Sequence, residues 1–562
     1  MMGSELGMTP DSKPEARVDG LGIFYIVFAT VWTFTLMAGM AYLWMKRKEQ
    51  ILRIRGLPIS FAGILLMHVY WVCVTTGYVY GPLMPEEAEY WIMGTWLPLG
   101  VALFHASNTR FLYVANAQKK YAKRTTEPYR IFTRRPGRIS LREAVKVWWQ
   151  QLDYSNKTLA TVGVGMSVHV SLTIFMFLMS RKFHDSFGIN GTEVTGTPME
   201  RAAAQGRGWE WWPSIFWQLF WAWLVAPVIL FRSRNVHDTQ GWRLQTIGCC
   251  ISGLHAAPMW LVALYAPGMA PVNKFFIPPM WIAVSIMFLE IFTVFIPIWE
   301  VRKARSLTQE TLESIARWES RQRFGGGGAK DVKSLHSEMS GTTWATRMSR
   351  ATSSVGGGSG GSILTMDALE HTLEKNPEPL QEFSALKDFS GENVAFLMRV
   401  RDWKSEHSIS VPRSLGSASS AMSGSEDEKP PISPTKTSSR EMFESALHIY
   451  LDFISASCAE FQINLSSQDF RALEAIFEDA ARMVVNEEST YDAATPFADA
   501  PRTAADNAAA AIRYAGPVPD AFNESVFADA EISIKYLILT NTWPKYIRQR
   551  RSFDATSTAE TV

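Results

Sequence analysis

The chain of 562 residues has almost no net charge, +1 from 55 basic and 54 acidic side chains. No general excess of positive charge exists to hold nucleic acid, and that class of partner is set aside. Cysteine is scarce. Cys73, Cys249, Cys250 and Cys458 have neither zinc-ligand nor disulfide-scaffold spacing. Three of them fall in apolar runs, where free cysteine is ordinarily core or lipid-facing. Cys249 and Cys250 stand near an expected inner membrane face, which also admits palmitoylation. No two histidines stand four apart, as ligands on one helix face would, so a metal enzyme is not expected, and neither is a cofactor. The first residues are polar and carry no cleavable signal pattern, so the first apolar run is expected to serve as the insertion signal.

What the chain does have is long apolar runs, and all of them precede residue 300. A bilayer needs about 20 such residues. Runs of that length lie near 21–45, 58–80, 91–116, 158–180, 212–231, 245–266 and 275–299, with Trp91, Trp96, Trp211, Trp212, Trp281 and Trp299 at their ends, as interface anchors. The intervening loops alternate in charge. "KRKEQILRIR" is basic, "GPLMPEEAEY" has three Glu and no Lys or Arg, and residues 117–157 carry eleven Lys or Arg. The fourth loop is balanced and holds the sequon Asn190-Gly191-Thr192, a glycosylation candidate that requires an outer face. "RSRNVHDTQGWR" is basic again, and the tail opens with "VRKARS". The alternation predicts an outer N-terminus and a cytoplasmic C-terminus.

Ionisable groups within spans are costly and therefore mark candidate sites. His68, His105, His169 and His255 fall near the middle of spans two, three, four and six, with Arg110 and Glu290 nearer the cytoplasmic side. They admit an intramembrane pocket for a small-molecule ligand or a proton-coupled switch; the plainer reading is hydrogen bonding between packed helices. The seventh run has no lysine to hold a retinal, since Lys274 stands only at its edge. Pro258, Pro278, Pro279 and Pro297 interrupt spans six and seven, and proline is common in membrane helices.

Beyond residue 300 the chemistry changes. Residues 301–323 have helical spacing at Leu307, Leu312, Ile315 and Trp318 and read as an extension of the last span. "GGGGAK" and "SSVGGGSGGS" then mark a flexible tether to residue 363. Helical patterns return at Leu364, Ala368 and Leu373, and at Phe396, Val400 and Trp403 behind a capping Ser390 and a first-turn Glu392. Further stripes are Leu447, Tyr450, Leu451, Ile454, Cys458 and Phe461, then Phe470, Leu473, Phe477, Ala480 and Met483. A last helix from Ser525 carries Phe527, Ala530, Ile534, Leu537 and Ile538, and breaks before Thr542-Trp543-Pro544. Polar stretches at about 406–440 and 487–520 are expected to be disordered insertions. No strand-like alternation competes in this tail. Phe396, Trp403, Tyr450, Phe527 and Trp543 are expected in its core.

Four blocks of this tail, "EFSALKDFSGENVAFLMRVRDWK", "ALHIYLDFISASCAEFQINLSS", "VFADAEISIKYLI" and "LTNTWPKYIRQ", resemble in order the regulator-of-G-protein-signalling (RGS) domain. Seven spans followed by such a domain resemble the membrane-anchored RGS proteins of fungi and plants. The fold expected is all-α: an extracellular N-terminus at 1–20, a seven-transmembrane helix bundle at 21–300, a linker at 301–363, a cytoplasmic helical RGS bundle at 364–550 with its insertions, and a tail at 551–562.

The resemblance implies a plasma-membrane protein that is not itself an enzyme. It would bind the GTP-loaded α subunit of a heterotrimeric G protein and speed its GTP hydrolysis. Carried over by position, Ser390, Glu392 and Asn393 form one contact loop. Asn464 meets the switch near the catalytic glutamine, and Leu537, Asn541, Thr542 and Lys545 form a third patch. The family usually has Asp at Asn541, Ser at Thr542, Arg at Lys545 and often Glu at Gly391. Losing the acid at 541 removes a charge-assisted acceptor. Without the resemblance, Asn393 and Asn464 read equally well as helix caps. Two rivals stay open: a receptor-like scaffold that binds the α subunit with little acceleration, and a transporter or intramembrane enzyme with a regulatory tail.

Overall fold

The computed structural model describes residues 15–123, 154–184, 186–324, 364–408, 435–487 and 516–559, together with Tyr514 and isolated positions between 142 and 152. The chain divides into two compact units: residues 1–117 with 140–304, and residues 118–139 with 305–562. Regular structure among the described residues is helical, and one isolated bridge pairs Ser180 with Ile189.

The first unit contains helices α1 (Gly20–Met45), α2 (Leu57–Tyr80), α3 (Leu97–Gln118) and α4 (Tyr154–Met179). The paired helices α5 (Trp212–Leu219) and α6 (Ala226–Ser233), α7 (Trp242–Gly253) and α8 (Ala256–Tyr265), and α9 (Met280–Glu290) and α10 (Ile296–Phe324) follow. Six helical stretches among the described residues are long and apolar enough to cross a membrane: Gly20–Met45, Leu57–Leu83, Tyr154–Met179, Trp209–Ser233, Trp242–Tyr265 and Met280–Ala316. Their lipid-length apolar character makes the chain membrane-spanning. The expected run 91–116 is helical but not among the six. It carries His105, Asn108 and Arg110, and Arg110 Nε donates to the Ile54 carbonyl at 2.7 Å. Within the unit α9 packs on α2, α7 and α8, and α1 on α2.

Proline shapes the helices by one rule. Its ring lacks an N–H and collides with the carbonyl four residues back. Each described π turn ends two residues before a proline: Ile92–Trp96 before Pro98, Phe220–Val225 before Pro227, Ile291–Phe295 before Pro297, and Ile538–Thr542 before Pro544. Several of the released carbonyls find side-chain donors. Gly94 O accepts from His169 Nε2 at 2.7 Å and Thr173 Oγ1 at 3.3 Å. Leu254 O, freed by Pro258 where α7 gives way to α8, accepts from the Trp223 indole at 3.1 Å. Pro278 and Pro279 do not interrupt the last span; they precede α9.

The second unit is built from α11 (Met366–Lys375), α12 (Glu378–Leu386), α13 (Gly391–Ser408), α14 (Thr435–Phe453), α15 (Ser467–Glu487), α16 (Ala528–Leu537) and α17 (Trp543–Ala559), with the later part of α10. Phe396, Val400 and Trp403 of α13 are buried as their spacing predicts, and so are Tyr450, Phe527 and Trp543. Phe477 lies at the centre, with ring centroids 5.5 Å from Phe443, 5.2 Å from Tyr450 and 5.7 Å from Phe527.

Several expectations need correcting. The stripe through Cys458 and Phe461 is not one helix: α14 ends at Phe453, where Ser455 N donates back to Tyr450 O at 2.8 Å and turns the chain. Met483 is exposed, and Ala481 and Val484 take the inner face of α15 instead. No break separates α16 from α17, because the π turn before Pro544 keeps the chain helical. The insertions expected at 406–440 and 487–520 fall only partly on described residues. Residues 406–408 and 435–440 are helical, and Tyr514 is buried against Phe443 at 5.3 Å. Residues 409–434 and 488–513, like the tether at 325–363, lie outside the described residues. All four cysteines are free, and Cys249 and Cys250 are fully buried, which removes them as acylation sites.

Removing a fully buried aromatic leaves a cavity and costs about 3–5 kcal/mol. Phe477→Ala is therefore expected to lower the thermal midpoint of the second unit by several degrees, read by calorimetry of the full chain as the transition that shifts against wild type.

Candidate functional site

The residues singled out in the tail converge on a tight turn after α12. Lys387 and Asp388 N–H both close on Phe383 O, at 3.0 and 3.2 Å, and Ser390 N reaches Ser384 O at 2.8 Å. Phe389 takes the left-handed conformation, φ 50°, with its ring buried. A non-glycine residue there is strained, and burial of the ring opposes that cost. The turn drives the Asp388 carboxylate inward, where it has no exposed surface.

Side chains from both ends of the second unit's helical sequence meet that carboxylate. Thr542 Oγ1 donates at 2.8 Å, Lys545 Nζ at 2.8 Å and Ser390 Oγ at 3.0 Å. A buried acid demands such partners, and charge-assisted donors are the strongest kind. Residues separated by 154 positions along the chain are thus fixed at one point. Ser390 does stand before α13, but its hydroxyl is spent on Asp388 rather than on capping the helix; its carbonyl accepts from Asn393 N at 3.2 Å.

Glu392 and Asn393 are buried beside it, Asn393 Nδ2 donating to Glu392 Oε1 at 3.3 Å. Asn541 is half-buried on the π turn, and Leu537 packs partly against the core. The structure therefore unites Ser390, Glu392, Asn393, Thr542 and Lys545. Asn464 stands half-buried on a separate loop after Ile463, whose N–H donates to Phe453 O at 2.9 Å. Ser390, Glu392, Asn393 and Thr542 are almost fully buried.

Three participants went unrecognised in the sequence. Asp388 sits next to the contact loop in "KDFSGEN", and that adjacency is its only signal. Gln118 and Tyr121 belong to the basic stretch "QKKYAK", where one aromatic among lysines is the available hint. Gln118 Oε1 accepts from Gly391 N at 3.0 Å, and its Nε2 donates to Glu392 Oε2 at 2.9 Å. Gly391 has no room for a side chain: a Cβ there would stand 2.7 Å from Ala385 Cβ and 2.8 Å from Tyr121 Cβ.

The intramembrane residues do not form one pocket. Glu290, fully buried, accepts from Trp32 Nε1 at 2.6 Å and meets His68 Nδ1 at 2.8 Å. His68 Nε2 lies 3.0 Å from Thr33 Oγ1, so α1, α2 and α9 are tied together. His105 instead stacks on Trp221 at 5.3 Å, His169 binds Gly94 O, and His255 stands half-buried where α7 ends. Only His68 and Glu290 are brought together. Asn190 is exposed in a turn, as glycosylation of a sequon requires.

Burial pushes the Asp452 carboxyl up to about 6, against the opposing pull of Arg399 and Lys120. A carboxyl raised on folding is favoured while protonated, so its contribution is lost as pH rises from about 4 through 6. Asp452→Asn is expected to stabilise the second unit at pH 7 by on the order of 2 kcal/mol, and so to raise its thermal midpoint. The gap should close by pH 4. Thermal scans of wild type and variant across that range check it; a gap independent of pH contradicts the assignment.

Compared with family models, with curated proteins and with solved structures, the chain matches none of them.

Proposed function

We propose that this is a seven-span membrane protein whose second unit is an RGS-type bundle that accelerates GTP hydrolysis by a G-protein α subunit. The observation that carries the reading is the convergence on Asp388 of Ser390, Thr542 and Lys545, with Glu392 and Asn393 alongside. Two of the sequence blocks that resemble the RGS domain, distant along the chain, supply these side chains. The alternating basic loops support a cytoplasmic second unit at the plasma membrane. The segment 86–118 serves as the additional span, its polar side chains turned to helix partners.

The chemistry asked of such a partner is modest. A G-protein α subunit carries its own arginine and the glutamine that orients water. Holding those mobile switches in transition-state geometry is enough, and carboxamides on braced turns suit that task. Asn464 is assigned the position nearest the glutamine; Asn393 and the Asp388-braced patch hold the flanking switch. Asn541 in place of the family's acid tunes the reading toward a particular α subunit. The burial of Ser390, Glu392, Asn393 and Thr542 favours a second reading, in which the chain binds the α subunit and accelerates it little.

Single-turnover hydrolysis of GTP by an α subunit, with and without the full chain in bilayer discs, separates the two. Acceleration of tenfold or more is expected, and Asn464→Ala should remove most of it. Binding without acceleration supports the scaffold, and an unchanged rate for Asn464→Ala contradicts the assigned site.

A further inference from the structure

We propose that the candidate α-subunit face is occupied by a segment of this same chain, Gln118–Ala122, which the partner must displace. The inference rests on the reading of the second unit as an α-subunit binder and adds a resident competitor at that site.

The segment is docked by paired, directional contacts. Gln118 has no exposed surface, and its amide engages both the Gly391 N–H and the Glu392 carboxylate. Tyr121 is 8% exposed. Its ring lies 6.2 Å from Phe453 and 6.3 Å from Phe461, and its carbonyl accepts from the Gln381 amide. Lys120 Nζ meets Glu460 at 2.5 Å. The segment therefore touches the contact loop at Gly391–Glu392 and also the turn that leads to Asn464. Charge favours the match, since Lys120 pairs with Glu460 and lies close enough to pull on the Asp452 carboxyl. Gly391 is the necessary counterpart, because any side chain there would collide with Tyr121 and Ala385. A second brace lies across the other half of the face. Thr540 O, released by Pro544, accepts from Thr308 Oγ1 at 3.2 Å, and Glu310 pairs with Arg548 at 2.8 Å.

The docking is also incomplete, as a displaceable occupant requires. A partly open cavity of about 340 Å³ lies beside it, bordered by Tyr121, Gln381, Arg399, Asp452 and Phe453. Gln381 Oε1 and Asn393 Oδ1 are buried with no hydrogen-bond partner among the described residues. A buried orphan acceptor is costly, so a partner presenting N–H or O–H donors at Asn393 gains where the resident segment does not. A tethered occupant lowers apparent affinity by the fraction of chains that are open.

Gln118→Glu sets a second carboxylate against Glu392 and should release the segment; Tyr121→Ala removes its anchor by a different route. Full-length wild type and both variants in bilayer discs are compared for single-turnover GTP hydrolysis and for amide exchange at 391–394. The expected result is several-fold faster hydrolysis and faster exchange for each variant. Equal or slower hydrolysis by variants that fold, beside a wild type that accelerates, overturns the self-occupancy and leaves the α-subunit reading standing. Absence of acceleration and of binding in all three chains overturns that reading, and the inference with it.

Discussion

Asp388 is a carboxylate with no exposed surface, and the candidate site depends on how it is satisfied. An unpaired acid in that position would be expelled or neutralised. Its donors Ser390, Thr542 and Lys545 come from the turn before α13 and from the π turn and helix α17 at the far end of the chain. Breaking such a pair by removing one partner leaves a buried charge and is strongly destabilising. The same atoms therefore brace the bundle and fix the spacing of the two loops assigned to the α subunit. Rigidity of that kind is what a protein needs in order to hold another protein's catalytic groups in place.

A second constraint recurs through both units. Proline releases a carbonyl, and the molecule places a donor against several of those released: His169 and Thr173 at Gly94, Trp223 at Leu254, and Thr308 at Thr540. In an apolar surrounding an orphan carbonyl is not tolerated. His169, a candidate for a ligand pocket when read in sequence, is accounted for by this structural duty. Glu290 differs, because its two oxygens are shared between Trp32 and His68, a knot of three helices that proline does not explain.

Much of the architecture is legible in the sequence because it follows hydrophobic periodicity. The apolar runs, the buried face of α13 and the aromatic centre around Phe477 all obey it. The run near 91–116, read as a span in the sequence, is helical but not among the six apolar stretches, since His105, Asn108 and Arg110 dilute its apolar signal. Helix ends were misjudged where a hydrogen bond rather than a pattern decides them, as at Ser455, or where a π turn replaces a break, as before Pro544. The site was half legible. Motif resemblance pointed to Ser390, Glu392, Asn393, Thr542 and Lys545. It gave no hint of their burial or of Asp388, because those depend on a left-handed Phe389 and a distant lysine. Gln118 and Tyr121 lie more than 250 residues from their partners, a separation no local pattern reports.

The most direct test of the account is the affinity of the full chain for a G-protein α subunit in two forms, GDP-bound and GDP-bound with aluminium fluoride. The second mimics the transition state of hydrolysis. A protein that acts by holding the switches in transition-state geometry binds that form at least tenfold more tightly, a difference of about 1.4 kcal/mol. Equal affinity for the two forms, or none for either, would contradict the account.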